Sequence, residues 1–257
     1  MRAALDIEAE HAGLVAQLRA AATEYRGGDQ NDSYTGSGRP FFCVSVPNMR
    51  RIARTWLTAH RQAADVELLA MADRLFAGLH YEEKVLAAIM LQTSARIWRQ
   101  LTPRMADRWL DDLNGWAEID SLCGGVIWAE VMAADWAAWR ALIEQLADDA
   151  NINKRRAALV LLTGPTRTSD DPRFRDLAFE VVERLKGERP ILITKAVSWL
   201  LRSMAGRHGL AVAAYLEANA ATLPAIAVRE TRTKLTTGAK SGGAKSGRSR
   251  RPATPVA

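Results

Sequence analysis

Apolar positions recur at helical spacing along nearly the whole chain. Residues 3–26 set Leu5, Ile7, Leu14, Val15 and Leu18 among Ala-rich and charged spacers, a pattern that predicts an amphipathic helix rather than a strand. The pattern stops in the longest irregular segment, Gly27 to Val46, which is dense in Gly, Asp, Asn and Ser. Pro47 then falls where a first helical turn tolerates it, because an N–H there has no intrahelical partner to lose. Arg50 through His60 continue that helix, and Pro103, Pro190 and Pro224 each open a helical pattern in the same way. No alternating β-branched run of useful length appears. The expectation is an all-α chain of about twelve helices.

The helical segments recur. Similar patterns lie around Lys84, Asp120, Arg156, Lys195 and Arg229, at intervals of 36, 36, 39 and 34 residues. A period in this range with two helices per unit is the mark of a helical solenoid, whose units bury a face only by stacking, although an ordinary helical bundle can imitate it. In a solenoid the second helix of each pair lines a concave surface. Lys84, Arg156, Lys195 and Arg229 would then share one face, with Asp120 as its acidic exception.

Composition adds a boundary. The chain has 257 residues, 48% hydrophobic and 25% charged, enough for a proper core. Its net charge of +6 is mostly terminal: Lys240, Lys245, Arg248, Arg250 and Arg251 face no acid after Thr236, and removing these five from 35 leaves 30 bases against 29 acids. Residues 1–235 are therefore expected to form a single domain and 236–257 a disordered basic tail, too poor in apolar residues to offset its ordering entropy. Such a tail serves either to attract nucleic acid or merely to keep the protein soluble. No apolar run approaches the roughly 20 residues of a membrane span. The early acid Asp6 and the absence of an apolar h-region argue against a signal peptide. Two cysteines, Cys43 and Cys123, make no disulfide framework. A cytoplasmic protein without membrane contact is expected.

Much chemistry can be set aside. His11, His60, His80 and His208 are scattered without metal-ligand spacing, no Gly-rich phosphate loop joins a strand to a helix, and there is no Gly-x-Ser-x-Gly turn. Neither a metal site nor a cofactor is called for. Tryptophan is the outlier: Trp109, Trp116, Trp128, Trp136 and Trp139 fall within 31 residues. Most should be core. Trp116 is the exception to watch, because it stands four residues before Asp120 and so shares a helical face with it. Asp120 itself is either a reactive carboxylate or an ordinary capping or ion-paired one. Arg155 and Arg156 sit at a helix start, where the macrodipole opposes cations, so something anionic should compensate them.

At these residues the chain resembles the AlkD-type alkylpurine DNA glycosylases, which are built of HEAT-like repeats. The resemblance covers roughly residues 40–235. Its most specific part is Trp116-Ala117-Glu118-Ile119-Asp120-Ser121, followed by Arg156-Ala157-Ala158, by Lys195-Ala196-Val197-Ser198-Trp199-Leu200-Leu201-Arg202, and by the helix start at Pro47 with Arg50-Arg51. It implies a right-handed solenoid of HEAT-like helix pairs with a concave basic face. By the same resemblance Asp120 is the catalytic carboxylate, Trp116 and Trp199 are the aromatic residues beside it, and Arg156, Lys195 and Arg202 bind DNA. Two positions depart from the family pattern. Ala117 stands where an acid is common, and Cys43 stands where a Gly is common before the Pro47 helix.

The implied activity is hydrolysis of the N-glycosidic bond of cationic N3- and N7-alkylated purines in duplex DNA, by a monomer without cofactor. One carboxylate is sufficient chemistry there, since the alkylated base already carries the charge of a good leaving group and only the electron-poor sugar needs stabilising. A non-catalytic helical-repeat scaffold for nucleic acid or protein has the same expected fold but no use for the Trp116, Asp120 and Trp199 set.

Overall fold

The computed structural model describes residues 4–22 and 35–239 of the protein, and every regular element among them is a helix. In chain order these are α1 (Ile7–Ala20), α2 (Val46–Ala59), α3 (Asp65–Phe76), α4 (Tyr81–Thr93), α5 (Ala95–Trp98), α6 (Pro103–Leu110), α7 (Gly115–Cys123), α8 (Trp128–Ala134), α9 (Trp136–Ala147), α10 (Ile152–Leu161), α11 (Thr163–Thr168), α12 (Pro172–Leu185), α13 (Ile191–Met204), α14 (Gly209–Asn219) and α15 (Ala225–Thr237). The surplus over the expected twelve comes from short helices such as α5, α8 and α11, which are too brief to leave a periodic pattern.

Helix starts follow local chemistry. Ser45, Thr102 and Asp171 cap α2, α6 and α12 through side-chain oxygens, with Pro47, Pro103 and Pro172 in the first turns. Pro190 and Pro224 stand one step earlier, as the N-cap residues of α13 and α15.

The helices stack in two rows. In one row α2, α4, α7, α10, α13 and α15 each pack on the next; in the other, α1 packs on α3, and α6, α9 and α12 pack in succession. Pairs such as α3 with α4, α9 with α10, α12 with α13 and α14 with α15 join the rows. This is the helical solenoid of the repeat pattern. The period places Lys84, Asp120, Arg156, Lys195 and Arg229 on α4, α7, α10, α13 and α15, successive members of the first row.

A single core runs from Leu14 and Leu18 of α1 to Leu216 of α14 and Ala227 of α15. Helix α10 lies deepest, with Ala157 through Leu161 buried on every side. Each Leu or Val sealed there contributes roughly 1.5–3 kcal/mol, so α10 is a firm base for whatever it carries. Trp109, Trp128 and Trp139 are core residues, as expected of most of the tryptophan cluster.

Helix α15 continues through Thr237 and ends on Gly238 in the left-handed conformation at φ +68°. Two residues assigned by composition to the tail are thus helical, while 240–257 lie outside the described residues, as do 23–34 of the N-terminal pattern and the irregular segment. No helix of the described residues is long and apolar enough to cross a membrane.

Candidate active site

The site begins with the placement of α7. Gly115 opens that helix at φ +68°, and a Cβ there would stand 2.0 Å from the carbonyl oxygen of Thr35. Only glycine allows both the conformation and the approach. The Gly115 N–H donates to Asn153 Oδ1 of α10 at 3.1 Å, which ties the start of α7 to the next helix of the row. On the inward side of α7, buried Glu118 accepts from the Asn114 N–H at 3.0 Å, from Arg39 Nε at 3.3 Å and from the Ser37 hydroxyl. Glu118 therefore anchors the helix. Trp116 and Asp120, two residues either side of it, are half-buried and line a cleft.

Asp120 is held by Arg156. The guanidinium donates Nε to Oδ1 at 2.9 Å and Nη2 to Oδ2 at 2.8 Å, while Nη1 donates to the Leu192 carbonyl at 2.5 Å. Arg156 thus bonds residues 36 positions before and after it, one repeat in each direction. Its side chain is 5% exposed against 18% for Asp120, so the carboxylate is the member that reaches the cleft. Burial lifts the Asp120 carboxyl above the ordinary aspartate range, and the hydrogen bonds and charge of Arg156 offset only part of that rise. Burial likewise drives the Cys123 thiol far up, so it stays neutral beside Asp120.

The end of α7 sets the second indole. The Gly124 N–H closes the helix on the Asp120 carbonyl at 2.9 Å, and a Cβ at Gly124 would come within 3.1 Å of Trp199 Cη2. The missing side chain lets the Trp199 ring of α13 lie against the turn that follows Asp120.

Trp116, Asp120, Arg156, Lys195, Trp199 and Arg202 all line this one cleft of about 770 Å³. Sequence reasoning nominates all six. It misses the apolar wall of Ile191, Leu192 and Ile226, and it misses Glu230 of α15. Glu230 was hidden by its neighbour: Arg229 carries the repeat signal, yet Arg229 lines a separate groove with Leu223, Val228 and Arg232. Lys84 also leaves the expected shared face. It is 1% exposed, and its ammonium donates to the Phe76 carbonyl and to Asp112, the latter at 2.6 Å.

Charge in the cleft is largely compensated from within. Arg156 serves Asp120, and Arg202 Nε lies 3.2 Å from Glu230 Oε2 and donates to Ser198 Oγ at 3.3 Å. Lys195 is exposed at the rim. The anionic partners that the helix-start arginines call for are supplied by the protein, Asp120 for Arg156 and Glu188 for Arg155 at 2.7 Å. Ala117 is buried on the inward side and does not line the cleft. Three of the four histidines meet acids outside the cleft: His11 and His80 meet buried Glu83, and His60 meets Glu10. Among the described residues no group of three or more His, Cys, Asp or Glu is placed to hold a metal.

A search of curated proteins finds no match. Among solved structures the chain is similar to a protein described as a predicted DNA alkylation repair enzyme from Enterococcus faecalis, with a TM-score of 0.64 at 15% identity over 81% of this chain and 93% of that one. At that identity the likeness speaks for the fold, and the sequence carries the rest. The family described as DNA alkylation repair enzyme matches residues 14–235, which takes in every residue that lines the cleft. The chain belongs to the DNA alkylation repair enzyme family.

Proposed function

We propose that the protein is a DNA glycosylase that hydrolyses the N-glycosidic bond of cationic N3- and N7-alkylated purines in duplex DNA. The observation that carries this reading is the carboxylate of Asp120, presented to the cleft by buried Arg156, with Trp116 and Trp199 lining the same cleft. The bond between C1′ and the base nitrogen breaks with its electron pair leaving on the base, which cancels the positive charge of the alkylated ring. The sugar is left with oxocarbenium character. Asp120 opposes that charge electrostatically, and water adds at C1′ with its proton passing to the carboxylate or to solvent. The indoles add contact area and attract positive charge through their faces, about 0.5–2 kcal/mol each.

Arg156 takes a different part from the phosphate contact expected of it. With each of its three guanidinium nitrogens donating a hydrogen bond inside the protein, it orients Asp120 and favours its ionised form. Lys195, at the rim, and Arg202 are left to meet the DNA backbone. Double-stranded DNA is the partner on this reading, the monomer is the working unit, and the place of action is wherever the cell keeps its DNA, the nucleoid of a bacterium. The deciding experiment incubates purified protein with methylated duplex DNA and measures free N7-methylguanine and N3-methyladenine. Release above the spontaneous rate is expected, and its absence would leave the cleft as a binding site only.

A further inference from the structure

Glu230 is the one feature of the cleft that a DNA-binding surface does not call for. A second carboxylate near a polyanion repels it, and here it also draws off the charge of Arg202, one of the few cations facing the cleft. Glu230 is not a loose surface acid. It projects from α15, the row helix packed on α13, and its side chain is 16% exposed. Its Oε2 accepts from Ser198 Oγ at 2.7 Å and lies 3.2 Å from Arg202 Nε, while Oε1 accepts no hydrogen bond from the described residues. Ser198 precedes Trp199, so the bond to Glu230 also reaches the backbone that carries the second indole. The cleft thus has one carboxylate on α7 and one on α15, each fixed by an arginine, with Trp116 and Trp199 lining the same space.

We infer that Glu230 is a specificity-determining residue that reads the positive charge of the damaged base. The inference rests on the glycosylase reading above. A neutral purine gives nothing in return for the repulsion between Glu230 and the phosphates, whereas a ring carrying a full positive charge does. Glu230 therefore favours the lesion by penalising undamaged DNA and by attracting the cationic base, as discrimination built on an unfavourable contact does. Its partner Arg202 follows the same logic: held by Glu230, it is a weaker general phosphate contact than a free arginine would be. Asp120 serves the charge that develops on the sugar, and Glu230 serves the charge already present on the base.

The test separates charge from bracing. Glu230→Gln keeps an acceptor for Ser198 and Arg202 and removes only the charge; Glu230→Asp keeps the charge on a shorter arm. Single-turnover assays give the half-saturating concentration for an N7-methylguanine duplex, and competition gives the inhibition constant of the same duplex unmodified. In Glu230→Gln the ratio of the inhibition constant to the half-saturating concentration is expected to fall about tenfold, with undamaged duplex bound as tightly as by wild type or more so. Glu230→Asp is expected to keep most of the ratio. An unchanged ratio in Glu230→Gln, or an equal loss in both variants, would overturn the role of Glu230. Failure of the wild type to release any base would instead end the glycosylase reading, so the two failures are distinct.

Discussion

Asp120 and Arg156, 36 residues apart, meet through two parallel hydrogen bonds on adjacent helices of one row. The stacking period of the solenoid makes this pair: residues one repeat apart stand side by side, and a carboxylate on α7 finds a guanidinium on α10. Because the Arg156 side chain is itself buried and also holds the Leu192 carbonyl, the arginine is not free to swing away. The carboxylate it holds keeps one direction, as the role proposed for Asp120 requires.

Replacing Asp120 by Asn keeps the shape and removes the charge. Base release under single-turnover conditions is expected to fall at least about a hundredfold, while affinity for duplex DNA holds or rises. Wild-type rates in this variant would refute the assignment. Arg156→Ala leaves Asp120 partly buried without its partner, and such removals cost about 3 kcal/mol of stability. Denaturant melts of that variant should show the loss, and its excision rate should drop as well.

The raised carboxyl of Asp120 sets a pH dependence. Only the ionised form opposes positive charge on the sugar, so activity increases as pH rises through the Asp120 pKa and is lost as pH falls below it. Burial moves that pKa up, so the acid limb of the excision rate should lie above the ordinary aspartate value of about 3.9. Removing Arg156 takes away the opposing influence and should move the limb higher still. A limb at or below the ordinary value in the wild type would contradict the burial.

Gly124 is predicted to be intolerant of a side chain for a reason specific to the site. In Gly124→Ala the new Cβ would press on the Asp120 carbonyl at 2.7 Å and on Trp199 at 3.1 Å. The ring must shift or the end of α7 must open. Excision should fall about tenfold, since misplacement by an ångström costs up to a hundredfold, with the protein still folded by circular dichroism. An unimpaired Gly124→Ala enzyme would show that Trp199 need not lie against this turn.

Cys43 offers a stability test far from the chemistry. It adopts φ +62°, in the left-handed region that side chains resist. This is the position where the resemblance puts a glycine, and the backbone explains that preference. Cys43→Gly relieves the strain but gives the unfolded chain more freedom, so a net gain of about 0.5–1 kcal/mol is expected. Thermal melts read it directly; a loss of stability would mean that the side-chain contacts of Cys43 outweigh the strain.

Legibility in the chain followed the physics of each residue. The row of helices and five of its members were readable because stacking imposes a period. Trp116 and Asp120 were readable because four residues make a helical face. The fate of Arg156 was not, since nothing local tells a guanidinium turned to a phosphate from one turned to a neighbouring helix. Lys84 illustrates the same limit: it keeps the register of the cleft residues, yet the carbonyl of Phe76 and the carboxylate of Asp112 draw it inward. Glu230 was lost because the period fell on Arg229, and a one-residue step turns a helix by about 100°.

The last prediction concerns which lesions are accepted, and it follows from the acids and bases that the cleft lacks. Its titratable side chains are Asp120, Arg156, Lys195, Arg202 and Glu230, and no histidine lines it. Glu118, the nearest other acid in sequence, is buried on the far side of α7 and holds Arg39 and Ser37. Asp120 is engaged by Arg156 through both oxygens, and Glu230 by Ser198 and Arg202. Neither is set up to protonate a departing base. The leaving group must then bring its own positive charge, which N7-methylguanine and N3-methyladenine do and hypoxanthine, uracil and 1,N6-ethenoadenine do not. Side-by-side single-turnover assays on matched oligonucleotides should show release of N7-methylguanine and none of hypoxanthine above the spontaneous rate. Comparable release of both would require a proton donor, and Glu230, placed in the same cleft as Asp120, would be the first residue to test for that role.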